Sequence, residues 1–184
     1  MPEQTGDEYD ELLAEGALYM SEQDWRRAAR TYREAITLRP DGASAYYNLG
    51  NALKNSGHHV EAAQRYLEAK ERHPVGSEYW AQATAGAFDM LRQDVCGEVA
   101  KPEWWNDEGL KVLSARVVRA APNFTGAIQM RAIVLRGKCG VWEAGPRSAA
   151  EVREAAMHYE QAAALCNAPA VKAEYARLAD WCRR

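Results

Sequence analysis

Five residues recur in register at a separation of 34 positions: Gly16 with Gly50, Ala28 with Ala62, Tyr32 with Tyr66, Ala35 with Ala69, and Pro40 with Pro74. Leu12 lands on Tyr46 in the same way, and Tyr46 on Trp80. A fixed period of this length signals one supersecondary unit copied along the chain, each copy burying its apolar face against the next. Within a unit the spacing is helical. Ala62, Tyr66 and Ala69 are separated by four and then three residues, which places them on one helix face. The stretch YYNLGNALKNSGHHVEAAQRY then poses a problem, because a glycine inside a helix costs about 1 kcal/mol relative to alanine. Gly57 suits a left-handed cap that ends the first helix. Pro74 stops the second, since the residue before a proline avoids the helical region. Gly50 must serve close helix approach, and it is expected opposite Ala62, where the second helix crosses.

These residues resemble the tetratricopeptide repeat (TPR), a helix–turn–helix unit with this period. The resemblance implies an all-α fold: a right-handed α-solenoid of antiparallel helix pairs closed by a capping helix. The expected organisation is an acidic N-terminal tail over 1–7, a solenoid over 8–168, and a C-terminal capping helix over 169–184. Its repeats fall at about 8–42, 43–76, 77–124 and 125–168. The third unit departs most, with Thr84 at the Gly50 position and Pro122 falling 48 residues after Pro74, so that about 14 residues are inserted. Its second helix is expected to start near Pro102 or Glu103 and to present Trp105, Gly109, Val112, Val117 and Ala120. The fourth unit has a first helix from about Phe124 to Leu135 with Ala132 as its small residue. RGKCGVWEAGPRS then reads as a loop by its glycines and proline, and Ala155, Tyr159 and Ala162 repeat the four-and-three spacing. Val171, Tyr175, Leu178 and Cys182 form one stripe on an otherwise charged terminal helix, which suits a cap.

Charge excludes some partners. The net charge of −3 argues against a general nucleic-acid binder. Eight acids and no bases fall within residues 1–25, which leaves 18 acids against 23 bases in the remainder. Arg26, Arg27, Arg30 and Arg33 are expected to pair with this acidic N-terminus, the alternative being an acidic partner. No apolar run is long enough for a membrane span, so no direct membrane insertion is expected. MPEQTGDEYDELL has neither the basic region and apolar core of a secretory signal nor the arginines of a transit peptide. Cys96, Cys139, Cys166 and Cys182 form no CxxC pair, so free thiols in the cytoplasm or another reducing compartment are expected.

Nothing marks a catalytic or metal site. No nucleophile motif, phosphate loop or HExxH helix occurs, and neither an enzyme nor a cofactor is expected. His58 and His59 are neighbours in a turn and make a poor chelate without a third ligand. In this family the first helix of each repeat forms the concave ligand face. Carried over residue by residue, that gives Leu13, Tyr47, Asn48, Asn51, Lys54, Gln82, Ala85 and Phe88 as groove candidates, extended by Gln129, Ile133 and Arg136. Such a mix of amides, small residues and aromatics suits a peptide or a partner helix. Trp104 and Trp142 are candidate interface anchors, with packing into their own loops as the alternative. The expected function is a non-enzymatic module holding a segment of another protein; the alternative is a fixed subunit or assembly factor of a larger complex. Some family members clamp the acidic tails of the Hsp70 and Hsp90 chaperones with lysines, asparagines and an arginine. Here the corresponding positions carry Leu13, Ala17, Asn48, Glu78 and Gln82, of which only Asn48 matches, so chaperone tails are not expected partners.

Overall fold

The computed structural model describes residues 2–184. Helices α1 (Pro2–Ser21) and α2 (Trp25–Leu38) form a first pair, and α3 (Ala43–Asn55) and α4 (His59–Arg72) a second. The third is α5 (Glu78–Leu91) with α6 (Asp107–Ala120), and the fourth α7 (Thr125–Arg136) with α8 (Ala149–Leu165). Helix α9 (Pro169–Arg183) packs on α8. Each helix packs on its neighbour in sequence, and α1, α3, α5 and α7 also touch in succession. The stacking therefore lines up the first helices of the pairs along one side. Helix α1 begins at Pro2, so the stretch expected as a tail enters the first helix from its second residue.

The punctuation works as its chemistry requires. Gly57 has φ +82°, and the amides of Gly57 and His58 donate to the carbonyls of Lys54 and Leu53, which are paired orphan acceptors at the end of α3. His73, before Pro74, is extended at φ −81°, ψ 144° and ends α4. Asp24, Ser77 and Asn106 each accept from a backbone amide at the start of α2, α5 and α6. Ser148 and Glu151 form a reciprocal capping box on α8.

Gly50 answers to a different residue from the one expected. Ala62 is fully buried, but a Cβ on Gly50 would lie 2.8 Å from Cε1 of Tyr66. Across the same ring, a Cβ on Gly86 of α5 would lie 2.9 Å away. The Tyr66 ring thus occupies a slot between α3 and α5, open only because both walls lack side chains. Gly16 receives Tyr32 in the same manner. Thr84, at the period-matched position, is buried and returns its hydroxyl to the Trp80 carbonyl at 2.7 Å.

The two insertions are packed structures. A 3₁₀ turn, Asp94–Cys96, follows α5 and rests on α4. Lys101 Nζ donates to the carbonyls of Leu91 and Cys96, which satisfies the end of α5. Helix α6 begins at Asp107, so Trp104 and Trp105 lie in the turn before it, not on its face. Both are half-buried and pack against the cores on either side, with Trp105 tilted on Phe88 at 5.6 Å. The buried face of α6 is accordingly Leu110, Leu113, Ser114 and Val117, while Val112, expected inside, is exposed. Gly109 also departs from expectation, because it abuts the Trp104 backbone. The second insertion, expected as a loop, contains a small antiparallel hairpin of β1 (Lys138–Cys139) and β2 (Trp142–Glu143). It buries Trp142 to 6% exposure, which removes that residue as an exposed anchor. Arg147, 5% exposed, clamps the hairpin by a two-pronged bond to Asp107 at 2.6 and 2.9 Å and by donation to the Val134 carbonyl.

Helix α9 lays Tyr175, Ala179 and Cys182 on α8, with Tyr175 stacked on Tyr159 at 6.3 Å. Val171 of the expected stripe is exposed at the rim. The arginines of α2 pair mostly near home, Arg27 with Asp24 and Arg30 with Glu34, while Arg33 reaches Glu61 of the next pair. All four cysteines are free thiols.

The slot yields a first prediction. Gly50→Ala should destabilise the chain by roughly 1–3 kcal/mol, the usual penalty of overpacking. For a chain of this size that lowers the thermal midpoint by about 2–4 °C per kcal/mol. An unchanged midpoint in calorimetry would show that the Tyr66 ring is not confined. The second concerns α9, which we read as the terminal cap. Deleting 169–184 should expose Tyr159 and its neighbours and produce aggregation, whereas a monomer with unchanged helicity per residue would refute the cap.

Candidate functional site

The alignment of α3, α5 and α7 creates a recess on the side formed by first helices. Tyr47, Asn51 and Lys54 face it from α3; Gln82, Ala85, Phe88 and Asp89 from α5; and Gln129, Met130 and Ile133 from α7. The period explains the gathering: residues one repeat apart sit at the same angle on successive helices. The cavity is about 90 Å³, room for one side chain rather than a whole ligand, and it opens along the groove.

Six of the eight groove candidates line this recess: Tyr47, Asn51, Lys54, Gln82, Ala85 and Phe88. Leu13 does not. It packs against the cores of the first two pairs. Asn48 is half-buried and also lies outside the recess. Three of the six are engaged in polar contacts within the protein, Gln82 through its Nε2 donating to Glu78 at 3.2 Å. Asn51 Oδ1 accepts the Tyr66 hydroxyl at 2.7 Å, and Lys54 Nζ pairs with Asp89 at 2.8 Å. Tyr47 tilts on Tyr66 at 5.7 Å, so the groove wall rests on the ring that Gly50 and Gly86 admit.

Asp89 and Arg92 did not emerge from the repeat pattern. Asp89 accepts from Lys54 and from Arg92 Nε and Nη2 at 3.0 and 2.6 Å. Burial alone would raise its pKa, but the charges and hydrogen bonds of Lys54 and Arg92 more than offset this, leaving the carboxyl below its usual range. Arg92 Nη1 also donates to Cys139 Sγ at 3.0 Å, which ties the groove to the hairpin. The available signal was the complementary charge of Lys54 and Asp89, 35 positions apart and so nearly one repeat.

Among the described residues no group of three or more His, Cys, Asp or Glu side chains could hold a metal ion. His58 stands at the first position before α4 without a side-chain capping bond, its Nδ1 lying 2.9 Å from Ser56 Oγ. Among the described residues no helix is long and apolar enough to cross a membrane.

Residues 16–57 match the family model of the TPR repeat. The matched segment runs from the end of α1 through α3, and the helices beyond it continue the same pairing. No curated protein matches. Among solved structures the fold is similar to that of YrrB, described as a TPR protein with an unusual peptide-binding site. The two chains are 15% identical over 90% of each, with a TM-score of 0.41.

The Asp89 cluster gives a third prediction. A carboxyl whose folded pKa is depressed stabilises the fold above its unfolded value and loses that contribution as pH falls through the folded one. Acidification below the ordinary Asp value of 3.8 should therefore weaken the α3–α5 contact. Asp89→Asn should remove this part of the acid dependence and lower stability at neutral pH by about 1–3 kcal/mol. Equal acid unfolding curves for the two proteins would contradict it.

Proposed function

We propose that the chain is a non-enzymatic protein-interaction module that holds a peptide or helical segment of another protein along the α3–α5–α7 groove. The observation that carries this is the recess itself: aromatic walls from Tyr47 and Phe88, the amide of Gln129 and that of Gln82, whose Nε2 also donates to Glu78 at 3.2 Å, and one open side. Aromatic surface supplies apolar contact, and side-chain amides can pair with a peptide backbone. The ligand would place one apolar side chain in the recess, with Leu13 and Asn48 at most flanking it.

A second reading, a fixed subunit or assembly factor, draws on one feature. Val75, Trp80, Trp104, Val112 and Leu113 border a recess between α4, α5 and α6, with Val75 and Val112 well exposed. A permanent partner would cover it. Gln82→Ala combined with Gln129→Ala discriminates the two: it should weaken peptide capture while leaving co-purification of a fixed partner intact.

The partner should not be a chaperone tail. Glu78 stands where the clamp needs a lysine and would repel the carboxylates, and the missing donors each forfeit on the order of 1.5–3 kcal/mol. Calorimetry with a peptide ending in Glu-Glu-Val-Asp should show no binding, and micromolar affinity abolished by Asn48→Ala would overturn this reading.

A further inference from the structure

Past Gln129 and Ile133 the groove continues into a second recess bounded by α7, α8, α9 and the hairpin. Its lining includes Arg92, Arg136, Tyr159 and Glu174. Tyr159 is fully buried, and its hydroxyl has no hydrogen-bond partner. The Nε–H of Arg136 is likewise buried without an acceptor, although Nη2 donates to the Lys138 carbonyl at 2.7 Å. Buried polar groups are nearly always satisfied, and an orphan calls for a specific explanation.

Comparison between repeats supplies one. Tyr66 and Tyr159 hold the same position in their units, aligned by Ala62 with Ala155 and by Ala69 with Ala162. In the second unit Asn51 follows the small residue Gly50 and accepts the tyrosine hydroxyl. In the fourth unit the small residue is Ala132, and the residue after it is Ile133, which can accept nothing. The position of the internal acceptor thus carries an apolar side chain in the fourth unit, and Ile133 itself lines both recesses. Burial pushes the Tyr159 hydroxyl above its usual range while Arg136 and Arg92 pull it down, and the group is a neutral donor at physiological pH. Both residues line the recess, and Glu174 at its rim reaches neither unpaired donor within hydrogen-bond distance. Across the two recesses three cations, Lys54, Arg92 and Arg136, stand against two carboxylates, Asp89 and Glu174.

We infer that Tyr159 and Arg136 form a carboxylate subsite at the α7–α9 end of the groove. It takes an acidic side chain, or the terminal carboxylate, of a peptide whose apolar side chain fills the recess beside Phe88. This rests on the groove reading above and adds the chemistry of the ligand. It differs from the chaperone clamp in position and in residues, since it lies in the fourth unit and uses a tyrosine.

The test is selection of random heptapeptides against the full chain in two formats, one with both ends embedded and one with a free C-terminus. Embedded peptides should be enriched in Asp or Glu beside an apolar residue, and free-ended ones should lose that enrichment if the terminal carboxylate serves instead. A selected peptide, followed by fluorescence anisotropy, should bind Tyr159→Phe and Arg136→Gln about tenfold or more weakly, the usual cost of a charged hydrogen bond. Tyr159→Phe should meanwhile keep or raise the thermal midpoint, because it deletes an unsatisfied hydroxyl; this variant decides alone if Arg136→Gln does not fold. Embedded peptides that lack acids, or selected peptides that bind both variants as tightly as wild type while binding Gln82→Ala with Gln129→Ala more weakly, would overturn the subsite and leave the groove. If no peptide is enriched in either format, both fail.

Discussion

The Tyr66 ring between Gly50 and Gly86 is the contact on which the middle of the molecule depends. It is the second helix of one unit entering a slot shared by the first helices of two units. The ring thereby sets the α3–α5 spacing, and that spacing sets the width of the groove. The glycines' helix-propensity cost is small beside the burial of a whole aromatic side chain, worth roughly 1.5–3 kcal/mol. The same ring directs Asn51 by hydrogen bond and supports Tyr47 by aromatic contact, so the groove wall is braced from behind.

The array loses this regularity after α5, and the insertions restore continuity by other means. Trp104 and Trp105 pack against both flanking cores and so join them across the insertion. The hairpin carries Trp142 into the C-terminal core, and Arg147 ties it to Asp107 on α6. Glu151 belongs to the same network. The Lys111 ammonium first, and then the capping bonds from Ser148, hold its pKa down to about 2. These ties orient α8, and with it Tyr159, relative to α7. The hairpin also meets the groove directly: Val141 donates to the Arg92 carbonyl while Arg92 reaches Cys139.

Polar satisfaction separates the two ends of the groove. Around α3 and α5 the buried polar groups pair among themselves, Tyr66 with Asn51 and Asp89 with Lys54 and Arg92. Around α7 and α8 the Tyr159 hydroxyl is left over. A repeat protein can vary its units one at a time because each packs only on its neighbours. The exchange of Asn51 for Ile133 between units is such a change, and it alters the chemistry of one end without disturbing the other.

The sequence by itself determined the pairing of the helices and, in the regular second unit, their ends and buried faces. Period and spacing report which residues share an angle on a helix, and Gly57 and Pro74 act on their own backbone. Six of the residues that the resemblance offered for the concave face line one recess, since a repeat places equivalent positions side by side. Only the tertiary structure decided what meets those faces. Gly50 serves Tyr66 together with a glycine from the following unit, and the period, which pairs Gly50 with Thr84, gives no hint of Gly86. Trp105 and Val112 were misplaced because the insertion shifted the start of α6, and an aperiodic segment carries no register. Trp142 became core, and Asp89 a partner of Lys54, through contacts between elements that are distant or aperiodic in sequence. Those contacts depend on the distance between helices, which is a property of the packed stack and not of any one segment.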